Sequence, residues 1–302
     1  MFGSEFNPVI AIEKNSGFWY NKADMLCNVC WKERLMKLTI LGTGNAAVCE
    51  CYNTCFALTN EAGETFLTDC GGGNRILKVL KDAGIGLGQI HDIFLTHEHI
   101  DHLLGLVWLV RMIGTEMNKG TYEGECRIYC HADLKVVIET ICNMTIQKKV
   151  TRHLGERILL IPVEDGETRQ ILDSQVSIFD IGSTKAKQYG FRMVLPDGKV
   201  LTCLGDEPYN PLNEKYVVGC DWLMHEAFCL YSEADRFKPY EKHHSTVKEA
   251  CEMAEAMDIP HLILYHTEEK NLARRKELYG AEGRQYYHGD LQIPDDGEVF
   301  WI

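Results

Sequence analysis

Three histidines and an aspartate fall within six residues in the segment Thr96-His97-Glu98-His99-Ile100-Asp101-His102. Imidazole nitrogens and carboxylate oxygens are donors that bind Zn²⁺ at roughly 2.0–2.2 Å. His97 and His99 are two apart, so an extended backbone turns them the same way. Asp101 and His102 then open a helix, read from the helical spacing of Leu103, Leu106, Val107, Val110 and Ile113. Four such groups exceed what one open metal site needs and suit two adjacent metals. A strand before the segment (residues 90–96) and an amphipathic helix after it set it apart from a chance run of surface histidines.

The rest of the chain supplies elements that can position this segment. Residues 37–41 read as a strand ending in Gly42-Thr43-Gly44. Strands at 55–59 and 65–68 flank the turn Asn60-Glu61-Ala62-Gly63-Glu64. A loop, Asp69 to Asn74, precedes a helix near 75–83; a strand at 127–131 precedes a helix at 134–144. The second half repeats the alternation, with strands at 176–181, 191–195, 200–205, 221–224 and 261–265. Thr246-Val247-Lys248-Glu249 fits a capping box, so a helix should run to about Met257. Interleaved strands and helices in two halves predict an α/β sandwich, sheets inside and helices outside. Asp206 and His266 each follow a strand, where ligand sites of α/β proteins gather.

Composition narrows the function classes. The chain has 302 residues, 31 Lys+Arg against 44 Asp+Glu, a formal charge of −13 and 45% hydrophobic residues. That is an ordinary globular composition. A chain of this length buries roughly 75% of its unfolded surface and needs no disulfide staples. No apolar run approaches the ~18 residues of a membrane span, the best candidate (103–113) being short and containing Arg111, and no basic region followed by an apolar run opens the chain. Thirteen cysteines, an odd number, point to a reducing cytoplasm rather than a secreted disulfide framework. The negative charge argues against long nucleic acid as a partner, while leaving room for a local basic patch or a metal that supplies positive charge. Residues 1–35 differ from the rest. They hold Phe18, Trp19, Tyr20 and Trp31, and a Cys27/Cys30 pair at CxxC spacing with no second CxxC, which reads as unpaired thiols rather than half a zinc site. Gly3-Ser4-Glu5-Phe6 has the character of a cloning remnant. The chain thus divides into an N-terminal extension, 1–35, and a folded domain, 36–302. Gly42-Thr43-Gly44-Asn45-Ala46-Ala47 matches a dinucleotide-binding GxGxxA, but that motif must open a helix and here a hairpin follows.

The HxHxDH segment resembles the signature of the metallo-β-lactamase superfamily, and the likeness extends from about Met36 to the C-terminus. Gly42-Thr43-Gly44, Asp69-Cys70-Gly71, Gly205-Asp206, His225-Glu226-Ala227, His244-Ser245-Thr246 and Tyr265-His266-Thr267 resemble, in order, motifs of its ribonuclease Z-like branch. The resemblance implies a four-layer αββα sandwich with two Zn²⁺ ions, Mn²⁺ being the alternative. One metal would take His97, His99 and Asp206; the other would take Asp101, His102, Asp206 and His266. A water activated between them would attack the substrate near neutral pH, with Asp101 helping to orient it. His244 would protonate the leaving oxygen, held and raised in pKa by Glu226.

Two departures qualify the resemblance. The branch has a further His ligand shortly before a Gly-aromatic pair, whereas here Gly182 or Ser183 stands at the expected place. His131 ends a strand and suits a structural role better than that of a replacement ligand. Ribonuclease Z also carries a long basic Gly/Pro-rich arm for tRNA, and none lies between His131 and Gly182. Lys148-Lys149, Lys185/Lys187 and Arg274-Arg275-Lys276 read as solvated faces. The expected activity is metal-dependent phosphodiester hydrolysis. The substrate would be a phosphodiester or other small hydrolysable molecule; RNA is open, but without an arm to grip it. A homodimer follows only by analogy. The alternatives are a lactonase or other acyl hydrolase, and a catalytically degenerate metal-binding protein.

Overall fold

A computed structural model describes residues 35–302; the Cys27/Cys30 pair and nearly all of the N-terminal extension lie outside the described residues. The first half builds a seven-stranded sheet in the order β14-β1-β2-β3-β4-β5-β6. Its strands are β1 (Lys37–Gly42), β2 (Cys55–Thr59), β3 (Thr65–Thr68), β4 (Ile90–Phe94), β5 (Cys126–Cys130), β6 (Ile158–Pro162) and the C-terminal β14 (Val299–Trp301). The second sheet has the order β13-β12-β11-β10-β9-β8-β7. It comprises β7 (Thr168–Ile171), β8 (Ser174–Asp180), β9 (Tyr189–Val194), β10 (Val200–Cys203), β11 (Trp222–Glu226), β12 (His261–Tyr265) and β13 (Asp290–Gln292). In each sheet an antiparallel meander gives way to parallel strands: β3 to β6 in one, β10 to β13 in the other.

Side-chain alternation along the strands forces a four-layer arrangement. Phe66 and Met224 point to the space between the sheets, whereas their neighbours Leu67 and Leu223 point to the helices. Leu38, Ile40, Phe56 and Phe94 of the first sheet meet Phe191, Met193 and Tyr265 of the second. Phe191 is the centre of this layer. Its ring lies 5.7 Å from Phe66 and 5.8 Å from Phe94, both edge-on, and 6.3 Å from Phe56. Helices α1 (Arg75–Asp82), α2 (Ile100–Lys119) and α3 (Ala132–Thr145) cover the first sheet, and α4 (Val247–Ala256) and α5 (Arg275–Gly283) the second.

This is the αββα sandwich that the sequence predicts. Strands β6, β7, β13 and β14 and helix α5 are additions to the sequence reading. β13 and β14 are three residues long, and the edge strand β7 is mostly polar and only partly buried, so neither periodicity nor apolarity marks them. The stretch from His131 to Gly182 is used up by α3, a single helical turn at Lys148–Thr151 and β6 to β8, leaving no projecting arm. No helix among the described residues is long and apolar enough to cross a membrane. The eleven described cysteines are all unpaired thiols.

Because Phe191 joins the two sheets, Phe191→Ala should destabilise the fold by about 3–5 kcal/mol. Urea unfolding should show this as a lower midpoint at unchanged slope; an unaltered midpoint would place the inter-sheet core elsewhere.

Candidate metal centre

The chemistry-bearing residues sit just beyond the C-terminal ends of strands: Asp69 after β3, His97 after β4, Asp206 after β10 and His266 after β12, with Glu226 ending β11. His99 is the N-cap of α2, which places Asp101 and His102 in its first turn, where helix dipoles favour a carboxylate. Asp69 and His266 adopt left-handed backbone conformations, φ +55° and +56°. Such conformations are uncommon outside glycine and are kept where surroundings over-determine them. Here the surroundings are tight. A Cβ on Gly105 of α2 would lie 1.8 Å from the carbonyl oxygen of Cys70, so only glycine lets the helix close onto the Asp69-Cys70 turn. Cys70 N–H then donates to His102 O at 3.0 Å.

Two donor clusters form around the HxHxDH segment, beside a third group of Glu226, His244 and His266. In the larger, Asp101 Oδ2 and Asp206 Oδ2 each lie 3.5 Å from His266 Nε2, and 3.4 and 3.5 Å respectively from His102 Nε2. These separations are long for hydrogen bonds. They match the ~3.4 Å edge of a tetrahedron whose centre is ~2.0–2.1 Å from each donor. Both Nε2 atoms are buried without a hydrogen-bond partner, which is costly unless something else fills the space. The second cluster joins His97, His99 and Asp206, all offering atoms within 4.8 Å of one another. Asp206 belongs to both clusters. Burial works against charge on Asp206 and Asp101. Even so, His97, His102 and His266 hold Asp206 well below the usual carboxylate range, and His102 and His266 do the same for Asp101. For His102, burial opposes the proton, but Asp69 and Asp101 push its pKa well up. Ionised buried carboxylates around unpartnered imidazole nitrogens call for cations between them, so the residues fit a metal.

Asp69 organises this centre, and the sequence reading noted it only as part of a motif. Its Oδ2 accepts from His102 Nδ1 at 2.6 Å and from Thr96 Oγ1 at 2.8 Å; its Oδ1 accepts from Thr96 N–H at 2.9 Å. Thr96 Oγ1 in turn lies 2.9 Å from His97 Nδ1 and can accept its proton. One buried carboxylate thereby orients two imidazoles, His102 directly and His97 through Thr96, with the Nε2 atom of each turned inward; that of His97 lies 2.8 Å from His99 Nδ1. The available signal was an Asp directly after a strand and before Cys-Gly.

The expected extra His has no counterpart. Gly182 is left-handed at φ +73°, and a Cβ there would lie 2.5 Å from Asn210 Nδ2. Ser183 Oγ donates to Glu207 Oε1 at 2.6 Å. Neither joins the cluster. The residue that faces it is Gln188, buried, whose amide donates to Asp206 Oδ1 at 2.5 Å and lies 3.1 Å from His97 Nδ1. His131 has the structural role expected of it: Nδ1 accepts from Leu134 N–H as the N-cap of α3, while Nε2 faces Glu98 at 3.5 Å.

Both clusters open into a cavity of about 510 Å³ lined by Asn45, His99, Asp206, Phe228, His244 and His266, among others. His244 stacks on Phe228 (5.0 Å, 13°) and stands 5.1 Å from the His266 ring. Glu226 is near it but does not hydrogen-bond it: Oε2 is 3.7 Å from His244 Nδ1, which has no partner. The carboxylate is occupied by Ser245 N–H, Ser245 Oγ and Phe228 N–H. Nor does the pair show the raised imidazole pKa that the sequence reading expected. Burial, aided by His266, pushes His244 down to about 3, and burial pushes Glu226 up to about 8.

Two of the basic clusters are not simply solvated faces. Lys185 lines the cavity. Arg275 is buried: its guanidinium donates to Thr43 Oγ1 (2.9 Å), Thr267 Oγ1 (2.7 Å) and Pro294 O (2.7 Å), which clamps the loop after His266 to the Gly42-Thr43-Gly44 turn. Lys148 and Lys149 are exposed as expected.

Asp69→Asn replaces an acceptor-only carboxylate with an amide that cannot fix both imidazoles. Metal affinity should fall about 10- to 100-fold while the fold is retained. Competition against a chromogenic chelator, read beside a thermal melt, checks this; wild-type affinity would remove Asp69 from the centre.

Comparison with known proteins agrees with this geometry. Ribonuclease Z of Haloferax volcanii is 25% identical over 315 aligned positions, covering 87% of this chain and 94% of that protein. Among solved structures, the metallo-β-lactamase fold protein YhfI of Bacillus subtilis superposes with a TM-score of 0.72 at 17% identity, covering 89% of this chain and all of that one. The short form of human tRNase Z superposes with a TM-score of 0.68 at 22% identity, covering 88% and 98%. The chain is a metal-dependent hydrolase of the metallo-β-lactamase fold. Since the family described as anti-Pycsar protein Apyc1 matches residues 36–283, this is the family to which it belongs.

Proposed function

We propose that this chain hydrolyses phosphodiesters with a pair of metal ions, Zn²⁺ or Mn²⁺, and that residues 36–302 form the hydrolase domain. The observation that carries this reading is that Asp206, grouped with His97 and His99, also lies 3.5 Å from His102 Nε2 and from His266 Nε2, in one cavity with His244 beside them. His97, His99 and Asp206 would hold one ion, and Asp101, His102, Asp206 and His266 the other. The ions would supply a water of near-neutral pKa and neutralise charge on the scissile phosphate. Asp101 would also help to orient the attacking water.

His244 serves the leaving oxygen. The His244 ring would donate a proton to the departing oxygen, with Glu226 Oε2 3.7 Å from its unpartnered Nδ1. The metallic half of the reading is supported unequally: the cluster with four protein donors should outbind the one with three, where Gln188 stands in place of an imidazole. The family name states an action against Pycsar, and we carry that setting to this chain. A reducing compartment agrees with the free thiols. A homodimer belongs to this reading by analogy alone.

Two measurements test the reading. Stepwise chelation of the loaded protein should release one metal per chain well before the other; uptake of two metals without turnover of any phosphodiester would favour a degenerate metal-binding protein. His244→Ala should lower kcat about 10²- to 10⁴-fold for an alkyl leaving group, with unchanged metal content. It should cost much less for a nitrophenolate, which leaves unaided. An equal loss on both would take the proton-donor role away from His244.

A further inference from the structure

Lys185 stands at the mouth of the metal cavity, and the roles assigned so far leave it unused. Its position is fixed from both ends. Ser183 Oγ accepts from the backbone N–H groups of Lys185 and Ala186, at 3.2 and 3.4 Å, which shapes the turn that carries it. The ammonium donates to the carbonyl oxygen of Lys242 at 2.8 Å, across from the loop that leads into His244. The nearest carboxylate, Glu207, has Oε1 at 3.7 Å, and that oxygen already accepts from Ser183 Oγ. An ammonium has three donors. One is satisfied by Lys242 and none is in close contact with a carboxylate, so donor capacity remains toward the cavity. The side chain is 26% exposed, which leaves it open to a ligand.

A fixed cation at the rim would complement the metal ions. Glu98, Asp101 and Asp206 line the cavity, and the molecule as a whole is acidic. Bound metal ions would offset Asp101 and Asp206, which leaves Glu98 at the rim to repel an anion and Lys185 to offset it. Lys242 adds a second cation, its ammonium 4.7 Å from the centre of the Phe228 ring.

We propose that Lys185 is the anion clamp of this cavity: its ammonium binds a non-bridging oxygen of the substrate phosphate, and the carbonyl of Lys242 holds it there. This rests on the phosphodiester reading but has its own test. A lysine already immobilised loses little side-chain freedom on binding, so the contact acts on affinity more than on the chemical step. A lysine that merely tethered the two loops would act instead through His244 and change kcat.

Inorganic phosphate is the probe, titrated calorimetrically into metal-loaded wild-type protein and into Lys185→Ala, Lys185→Gln and Lys185→Arg, with metal content measured on each. Losing one charge-assisted hydrogen bond should weaken phosphate binding about tenfold or more in the Ala and Gln variants, and Arg should restore most of it. KM for bis(4-nitrophenyl) phosphate should rise about tenfold with kcat within about threefold. Lys242→Ala keeps the carbonyl and should cost less than either neutral variant. Wild-type phosphate affinity in both neutral variants, a fall in kcat at constant KM, or a wild-type protein that binds no phosphate would overturn the clamp. If phosphate binding depends on Lys185 while no diester is cleaved, the clamp stands and the hydrolytic reading fails.

Discussion

Three carboxylates, Asp69, Asp101 and Asp206, are buried beside the imidazoles of His97, His102 and His266. Burying charge in a protein interior costs several kcal/mol per ion unless opposite charge and hydrogen bonds compensate. Much of the fold around the centre answers this constraint. Asp69 is satisfied by Thr96 and His102. Asp206 is met by Gln188 and three imidazoles, and Asp101 by two. What the protein does not supply is a partner for the Nε2 atoms of His102 and His266, and that deficit is the space for cations.

The two sheets divide the work. The first contributes Asp69, His97, His99, Asp101 and His102 from adjacent strand ends and the start of α2. The second contributes Asp206, Glu226 and His266 from three parallel neighbours. The centre exists only where the two sheets meet, so the aromatic layer around Phe191 and the Arg275 clamp set its dimensions as firmly as its own residues do. Metal binding is thereby coupled to the docking of both halves.

The centre is uneven. Gln188 occupies the side where a further imidazole would complete the His97/His99 cluster, and its amide is spent on Asp206. Glycine at 182 reflects backbone geometry and the proximity of Asn210 rather than a vacated ligand position. Glu226 and His244 are likewise arranged differently from the expectation. Glu226 is tied to the backbone and hydroxyl of Ser245, and His244 stacks on Phe228, while burial works against charge on both.

The sequence by itself determined the layered α/β architecture, because period-two runs alternating with period-3.6 runs leave few other ways to bury apolar faces. It also marked the candidate donors: HxHxDH is local, and a histidine or aspartate directly after an apolar run is legible without knowing where the run goes. What it could not determine depends on distance through space. Asp69 and Thr96 are remote in the chain and adjacent in the fold, Gln188 carries no sequence mark of its proximity to Asp206, and Arg275 looks like one of three surface cations until α5 buries it. Short strands such as β13 and β14 acquire their hydrogen bonds only from partners brought by the rest of the chain. The tertiary structure alone decided these, because burial and contact are properties of packed surfaces, whereas period and donor type are properties of the chain.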